Sequence, residues 1–289
     1  MPELPEVQAL VQVLATHTTG RLVRAVHVTS FPSLKTYDPP PAALVGGTVT
    51  GVHRHGKWLD VSTEGDDGEL HLVVHLARAG WVRWHDIAPT GLPRAGRSGL
   101  AARVVLDDGA FDLTEAGTKK SLAIHVVRQA VDVERIASLG VEPLSAAFTR
   151  DLLDELLDGK NQQIKGLLRD QGVIAGIGNA YSDEILHAAR LSPFTLTRSL
   201  DADARDRLFR SIGTVLDAAI RAATGKEAAE LKDVKRSHMA VHGRAGQPCP
   251  VCGDVVAEVS FADSSLQYCP TCQTGGKRLA DRRMSKLLR

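Results

Sequence analysis

The sequence lacks the long apolar runs of a membrane protein. Hydrophobic residues make up 43% of its 289 residues, yet no run approaches the roughly 18 consecutive apolar residues that a transmembrane helix needs. The opening residues, Met1 to Glu6, have neither the basic flank nor the apolar stretch of a secretory signal peptide. We therefore expect a cytoplasmic protein that binds no membrane and is long enough for two or three modest domains.

The sequence also lacks a marked net charge, because 35 Lys and Arg face 34 Asp and Glu. This balance argues neither for nor against a nucleic-acid partner. The charge is unevenly placed, however: residues 232–289 contain ten Lys or Arg and five Asp or Glu, a local net of +5. A basic end on a neutral chain is typical of a phosphate-facing module, and a solvated basic tail would explain it equally well.

Cysteine is scarce, and its four copies lie together as C-x2-C, sixteen residues, and C-x2-C. Four thiolates at this spacing suit one structural zinc ion, with each pair on a tight turn and the chain between them forming a hairpin. Disulfides are disfavoured in a cytoplasmic chain, and four Cys ligands leave no open position for a catalytic ion. The predicted zinc ligands are Cys249, Cys252, Cys269 and Cys272.

The first 130 or so residues read mainly as strands. A helix of about twelve residues is predicted just after Pro5, because Val7, Leu10, Val11 and Leu14 recur at helical spacing. Short β-rich runs separated by Gly and Asp turns then indicate an antiparallel sandwich or barrel-like domain, and residues 91–99 read as a loop. The predicted strands are 22–29, 48–53, 58–63, 70–76, 81–84, 102–106 and 122–127.

From about residue 146 the apolar period becomes helical. Between two predicted helices lies Gly172-Val173-Ile174-Ala175-Gly176-Ile177-Gly178-Asn179, with three glycines in seven residues. Such a turn lets backbone amides approach a ligand closely. By itself it is equally consistent with a plain helix–helix connection.

These features, in this order, resemble the formamidopyrimidine-DNA glycosylase and endonuclease VIII family. The resemblance runs from Pro2 to Gln273. It is carried by four motifs: Pro2-Glu3-Leu4-Pro5-Glu6-Val7; His55-Gly56-Lys57; Asp170-Gln171 with Ala175-Gly176-Ile177-Gly178-Asn179 and Tyr181-x-Asp183-Glu184; and Gly243-Arg244 ahead of the two Cys pairs.

The resemblance implies an α+β fold in four parts. An N-terminal antiparallel β-sandwich opened by a helix (1–132) carries the catalysis, and a helix-two-turn-helix domain (146–228) binds DNA. A C-terminal β-hairpin zinc finger (240–274) and a basic tail (275–289) follow. The implied activity is base-excision repair: a monomeric DNA glycosylase with abasic-site lyase activity, acting on double-stranded DNA with damaged bases or abasic sites, and nucleoid-associated when bound.

The family's chemistry maps onto four residues. Pro2, once Met1 is removed, supplies a secondary amine that attacks the sugar and forms an iminium ion, and an α-amino group is more often unprotonated near neutral pH than a Lys side chain. Glu3 lies beside that amine and can move protons. Glu6 supports the N-terminal region, although the helix dipole is the stronger explanation for an acid in the first helical turn. Lys57, at a turn, can reach a phosphate or assist elimination.

DNA contacts are implied at several further positions. Asn179 donates to a backbone phosphate, with Lys160 and Lys165 adding positive charge on the same face. Arg78 lies where the formamidopyrimidine branch has the Met that fills the vacated base stack. Arg244 precedes the zinc finger and completes the predicted set.

The chain departs from the family where lesions are recognised. Besides Arg78, it has residues 111–120 where the formamidopyrimidine branch has an Arg-Phe-Gly loop, and Ser264 where the finger usually has a phosphate-binding Arg. Residues 232–243 also look too short for the family's lesion-covering loop. These departures leave open an alternative, namely a non-enzymatic or abasic-site-specific binder of damaged DNA.

Overall fold

The computed structural model describes residues 1–66, 68–91, 93, 99–261 and 264–280. Most of the predicted loop at 91–99 and the last nine residues of the basic tail lie outside this part of the chain. The described chain forms two compact units: the first comprises Met1–Leu139 and Ala223–Lys232, the second Gly140–Ala222 and the chain from Asp233 onward. Among the described helices, none combines the length and the apolarity needed to cross a bilayer.

The first unit opens with helix α1 (Leu4–Thr18), which confirms the predicted N-terminal helix. The helix starts before Pro5 because proline is tolerated in the first turn, where its missing N–H would have no helical partner. Leu4, Val7, Leu10 and Leu14 form its buried face. The helix is therefore fixed to the sandwich core by the same periodicity that predicted it.

Eight strands form two four-stranded antiparallel sheets, ordered β1-β6-β7-β5 and β2-β3-β4-β8. Apolar side chains from both sheets and from α1 share one core, as expected for a sandwich. The short helix α2 follows the sheets at Glu134–Ala137. The strands are β1 (Val23–Val28), β2 (Thr48–His55), β3 (Trp58–Gly65), β4 (Gly68–His75), β5 (Gly80–His85), β6 (Leu100–Leu106), β7 (Ala110–Glu115) and β8 (Ala123–Val127).

Strand β7 is the one strand that the sequence did not predict. It lies between β6 and β5, with Phe111 and Leu113 in the core. Two buried acids, Asp112 and Glu115, interrupt its apolar pattern. Arg103, directly opposite on the neighbouring strand β6, compensates the first by donating from Nε and Nη2 to the two carboxylate oxygens at 2.7 and 2.9 Å. The apolar pattern of a single strand does not reveal such a cross-strand pair.

Residues 223–232 belong to the first unit, although the predicted helical domain (146–228) included the first six of them. Ala228 and Leu231 are buried in the sandwich core. The Trp81 indole Nε1 donates to the Ala228 carbonyl at 2.9 Å, and Lys232 Nζ lies 4.5 Å from the centre of a Trp81 ring. A hydrogen bond and a cation–π contact thus fix this segment to β5.

The second unit contains the remaining helices and a hairpin of β9 (Ala257–Ser260) and β10 (Ser265–Tyr268). The predicted helical region and finger therefore pack as one compact unit. The helices are α3 (Arg150–Gly159), α4 (Ile164–Arg169), α5 (Asn179–Ala188), α6 (Ala202–Ala223), α7 (Leu231–His238) and α8 (Pro270–Thr274).

A buried carboxylate joins two histidines on the outer face of the β2-β3-β4-β8 sheet. Asp60 accepts from His55 Nε2 and from His71 Nδ1, each at 2.9 Å. Burial works to raise the pKa of Asp60, but the two hydrogen bonds outweigh it and the pKa lies below its usual value. The hydrogen bond between His71 and Asp60, together with the negative charge of Asp60, raises the pKa of His71.

This pairing predicts a pH-dependent stability. Because the pKa of folded His71 lies above its unfolded value of 6.5, its contribution is complete below that value and is lost as pH rises through the folded pKa. The variant H71Q should therefore lose more unfolding free energy, relative to wild type, at about pH 5.5 than at about pH 8.5. Urea unfolding at both pH values measures this, and a pH-independent difference would contradict the pairing.

Candidate active site and nucleic-acid interface

The start of α1 holds two buried carboxylates beside Pro2. Pro2 is buried, and Glu3 and Glu6 are only 2% and 3% exposed. Glu3 caps the helix: its side chain accepts from the Glu6 N–H, and its own N–H donates to Glu6 Oε2 at 2.9 Å. This reciprocal capping box holds both carboxylates in place at the start of α1, beside Pro2.

Arg54 ties the turn that carries Lys57 to the same helix. Its Nε donates to Gln8 Oε1 of α1 at 2.9 Å, and its Nη1 donates to the Gly56 carbonyl at 3.0 Å. Lys57 is 8% exposed. Sequence analysis missed Arg54, because a single arginine in a β-strand reads as an ordinary solvated residue.

His75 lies beside Lys57 and is neutral at neutral pH. Burial, followed by the charges of Lys57 and Arg135, lowers its pKa to about 4. Its ring packs against Trp58 with centroids 4.7 Å apart. The region around Lys57 therefore gains no positive charge from this imidazole.

Strand register brings three connections to one end of the sandwich. His55 pairs with Trp58, Trp58 with His75, and His75 with Ala123. The β2–β3 turn, the β4–β5 turn and the β7–β8 loop consequently lie at the same end. Lys57, Arg78, Lys119 and Lys120 belong to these connections, and the last three are exposed.

The turn that presents Arg78 is set by its backbone. The Gly80 N–H donates to the Leu76 carbonyl at 2.8 Å, and Ala77 has a positive φ of 51°. A Cβ on Gly80 would lie 2.2 Å from that carbonyl oxygen, so only glycine fits. The turn thus places residue 78 at its exposed tip whatever the side chain is.

The β7–β8 loop includes only part of residues 111–120, the segment that stands where the family has its Arg-Phe-Gly loop. Within 111–120, residues up to Glu115 belong to β7, so the loop proper is 116–122. One oxygen of the buried Glu115 carboxylate accepts from the N–H groups of Ser121 and Leu122 at 2.7 and 3.0 Å. The loop has no aromatic residue and exposes Lys119 and Lys120.

In the second unit, Gln171 holds the glycine-rich turn from within. Its Nε2 donates to the Ile177 carbonyl at 2.8 Å, and its Oε1 accepts from the Gly176 N–H at 3.0 Å. Gly176 has a φ of 87°, a conformation that favours glycine. The turn ends at Asn179, the first residue of α5.

The Asn179 amide already has a partner in the protein. Its Nδ2 donates to the Ser265 carbonyl of β10 at 2.8 Å, while its Oδ1 is buried and accepts from no described residue. The side chain therefore joins α5 to the finger hairpin.

Lys165 is not the exposed cation that the sequence predicted. Its Nζ donates to Asp183 Oδ1 at 2.6 Å, Ser182 Oγ at 2.7 Å and the Asn179 carbonyl at 3.1 Å. The residue is 6% exposed, so its charge is compensated inside the protein. Lys160, by contrast, is exposed at the end of α3.

Arg244 folds back onto its own segment. Its Nη1 donates to the Met239 carbonyl at 3.2 Å, and its Nε is buried with no acceptor among the described residues. Part of the guanidinium thus stabilises the chain that enters the finger.

Two lysines provide a matched test of this placement. The variant K165M leaves the Asp183 carboxylate buried without its cation and should lower the unfolding free energy by roughly 3 to 5 kcal/mol. K160M should leave stability unchanged, weaken DNA binding and reduce its salt dependence. Urea unfolding and a salt titration of DNA binding measure both effects. A K165M protein that is as stable as wild type but binds DNA poorly would restore the predicted phosphate role.

The four cysteine sulfurs lie together and form no disulfide. Cys252 and Cys269 Sγ are 3.3 Å apart, and Cys249 and Cys272 Sγ are 3.9 Å apart. Zinc–sulfur bonds of about 2.3 Å in a tetrahedron require sulfur separations of about 3.8 Å. Burial raises the pKa of Cys269 to about 11, so a thiolate there needs a bound cation. These residues fit a zinc ion.

A fifth potential ligand, which sequence analysis missed, lies beside the cysteines. His187 of α5 is 5% exposed, and its Nε2 lies 3.3 Å from Cys249 Sγ. Its only sequence signal is helical spacing, because Asn179, Asp183 and His187 recur every four residues along α5.

Comparison with known proteins agrees with this architecture. Residues 1–124 match the formamidopyrimidine-DNA glycosylase N-terminal domain, residues 139–230 match the H2TH domain of the same enzymes, and residues 246–275 match the zinc finger found in FPG and IleRS. A formamidopyrimidine-DNA glycosylase of Chloroflexus aurantiacus is 34% identical, over 94% of this chain and 98% of that protein. The chain belongs to the formamidopyrimidine-DNA glycosylase family.

Two further relatives extend the comparison. An uncharacterized formamidopyrimidine-DNA glycosylase-like protein of Mycobacterium tuberculosis is 55% identical over 152 residues, 53% of this chain and 95% of that protein. A structure of Lactococcus lactis Fpg with abasic-site DNA has a TM-score of 0.81 and 25% identity, over 94% of this chain and 99% of that chain. Family membership confirms the predicted fold class, the zinc-binding finger and the enzyme class, a DNA glycosylase of base-excision repair.

Proposed function

We propose that this glycosylase excises damaged bases from double-stranded DNA and cleaves the resulting abasic site, with the Pro2 amine as nucleophile. The observation that carries the proposal is the buried start of α1. There the capping box fixes Glu3 and Glu6 next to Pro2, and Arg54 ties the Lys57 turn to the same helix. The Lactococcus lactis relative was solved with abasic-site DNA, which supports the substrate class.

In the proposed reaction, Met1 is removed and the Pro2 nitrogen becomes a secondary amine. Its lone pair attacks C1′ of the nucleotide, the glycosidic C1′–N bond breaks, and the base leaves with a proton. The nitrogen loses its proton, and opening of the sugar ring gives an iminium ion that acidifies the C2′ hydrogens. Removal of one C2′ proton then lets the 3′ phosphate leave by β-elimination, and the resemblance implies δ-elimination of the 5′ phosphate as the next step. The target nucleotide must first leave the base stack.

Glu3 is proposed to carry the protons of this sequence, because its carboxylate lies next to the amine in the chain and is held in place. Glu6 fixes the Glu3 backbone and so acts as a positioning residue. Lys57 is proposed to contact a phosphate beside the lesion or to assist elimination. All three act from a site in which hydrogen bonds, rather than substrate, set their positions.

The DNA contacts are proposed to divide between the two units. Lys160, Arg244 and the glycine-rich turn at Asn179 would bind backbone phosphates, which position the duplex without reading sequence. Arg78 would enter the stack vacated by the flipped base, where its planar guanidinium can stack and donate hydrogen bonds. Lys119 and Lys120 would add phosphate contacts at the same end of the sandwich.

One alternative has specific support. The 116–122 loop contains no aromatic side chain to wedge between bases, and the hairpin turn has Ser264 rather than an arginine. These residues favour a protein that acts mainly on abasic sites, or one that binds damaged DNA without excision. The buried carboxylates beside Pro2 favour the enzyme, since a binding protein has no need of them.

We further propose that the finger holds a single zinc ion with a structural role, since four Cys ligands close its coordination sphere. The protein is proposed to act as a cytoplasmic monomer that associates with the nucleoid when it is bound to DNA.

Borohydride trapping tests the nucleophile. Incubation with an abasic or oxidised duplex and borohydride should yield a covalent adduct with wild type and none with P2G, because reduction fixes the iminium ion. The matched control is P5A, which alters the other proline of the opening motif within α1 and should keep the adduct.

Two results would overturn the enzyme proposal. One is the absence of any adduct across a broad panel of lesions and abasic sites. The other is mass spectrometry of active protein showing Met1 retained, since Pro2 would then have no free amine. Excision of no base together with an adduct on abasic DNA would instead favour the abasic-site alternative.

A further inference from the structure

Side chains on one face of α5 form hydrogen bonds with the finger along the length of the helix. Asn179 donates to Ser265 at 2.8 Å, and Asp183 accepts from the Gln267 N–H of β10 at 3.2 Å. One turn further on, His187 approaches Cys249 at 3.3 Å. The helix therefore reaches the metal ligands themselves, through a residue outside the C-x2-C pairs.

The position of His187 Nε2 fits a coordination edge. Zinc–nitrogen bonds of about 2.0 Å and zinc–sulfur bonds of about 2.3 Å place tetrahedral N and S ligands about 3.5 Å apart. The ligand atoms of His187, Cys249, Cys269 and Cys272 all lie within 4.8 Å of one another. Cys252 Sγ lies 3.3 Å from Cys269 Sγ but is not within 4.8 Å of every atom of this set, so one nitrogen and three of the four clustered sulfurs form a compact group.

His187 and Cys252 also differ in their exposure to solvent. His187 is 5% exposed, and Cys249 and Cys269 are 2% and 0% exposed. Cys252 is exposed, on the outer side of the cluster. The ligand that solvent can most easily reach is thus the one that the compact group does without.

We propose that His187 is a fifth member of the zinc site, donating a hydrogen bond to Cys249 while Cys252 is bound and replacing Cys252 as ligand when that residue is lost. In the intact site the imidazole Nε2–H orients the Cys249 thiolate, as hydrogen-bonding partners of metal ligands do. When Cys252 is lost, the ring proton moves from Nε2 to Nδ1 through solvent, and the Nε2 lone pair of the neutral imidazole binds the ion. The finger then stays closed and attached to α5.

The test compares three variants by metal content and by the spectrum of the cobalt-substituted protein. C252A should retain about one equivalent of zinc, and its cobalt form should keep tetrahedral bands with the charge-transfer absorption of three thiolates instead of four. H187F replaces the imidazole with an apolar ring and should also retain zinc, through the four cysteines. C252A/H187F should lose the metal.

A second measurement separates ligand loss from unfolding of the double variant. Transfer of zinc to a coloured chelator should be several-fold faster from H187F than from wild type, because Cys249 has lost its donor. Loss of zinc from C252A with His187 intact would overturn the proposal. The proposal would also be overturned if C252A and C252A/H187F retained equal amounts of metal, or if H187F and wild type transferred zinc at equal rates.

Discussion

The buried carboxylate of Asp183 constrains the whole second unit. It is 1% exposed, so protein donors must replace the water that would solvate it. Lys165 of α4 supplies the cation, and His242 Nδ1 donates at 2.8 Å from the segment before the finger. The third donor is the Gln267 N–H of β10. The glycine-rich turn and the finger are therefore both anchored to one helix.

The adjacent Glu184 completes this constraint by organising backbone. Its carboxylate accepts from three consecutive N–H groups, those of Ala240, Val241 and His242, at 2.7, 3.0 and 2.8 Å. Burial raises the pKa of Glu184 and outweighs these bonds, which act to lower it. Because Lys165 is used inside this network, the phosphate contacts proposed for the second unit rely on exposed cations such as Lys160.

Local patterns predicted the elements well and their polar partners poorly. Apolar spacing identified α1 and seven strands, and cysteine spacing identified the finger, because each pattern reflects one element's own buried face. Strand β7, Lys165 and His187 were missed or misplaced for a common reason. Each is a polar residue, or contains polar residues, whose burial is compensated by a side chain outside its own element: Arg103 for Asp112, Asp183 for Lys165 and Cys249 for His187. Such compensation is visible only in three dimensions.

Separate hydrogen bonds fix the Pro2 site and the exposed turns, so the residues for chemistry and for recognition can vary separately in this chain. The site at Pro2 is fixed by a capping box and by Arg54, which bonds Gln8 and a backbone carbonyl. The turn at Arg78 and the loop at Lys119 are fixed by Gly80 and Glu115, again through backbone groups. Tip residues can therefore change without moving either turn. An arginine at position 78 alters what the turn can contact, while the geometry around the proposed nucleophile Pro2 stays independent of that change.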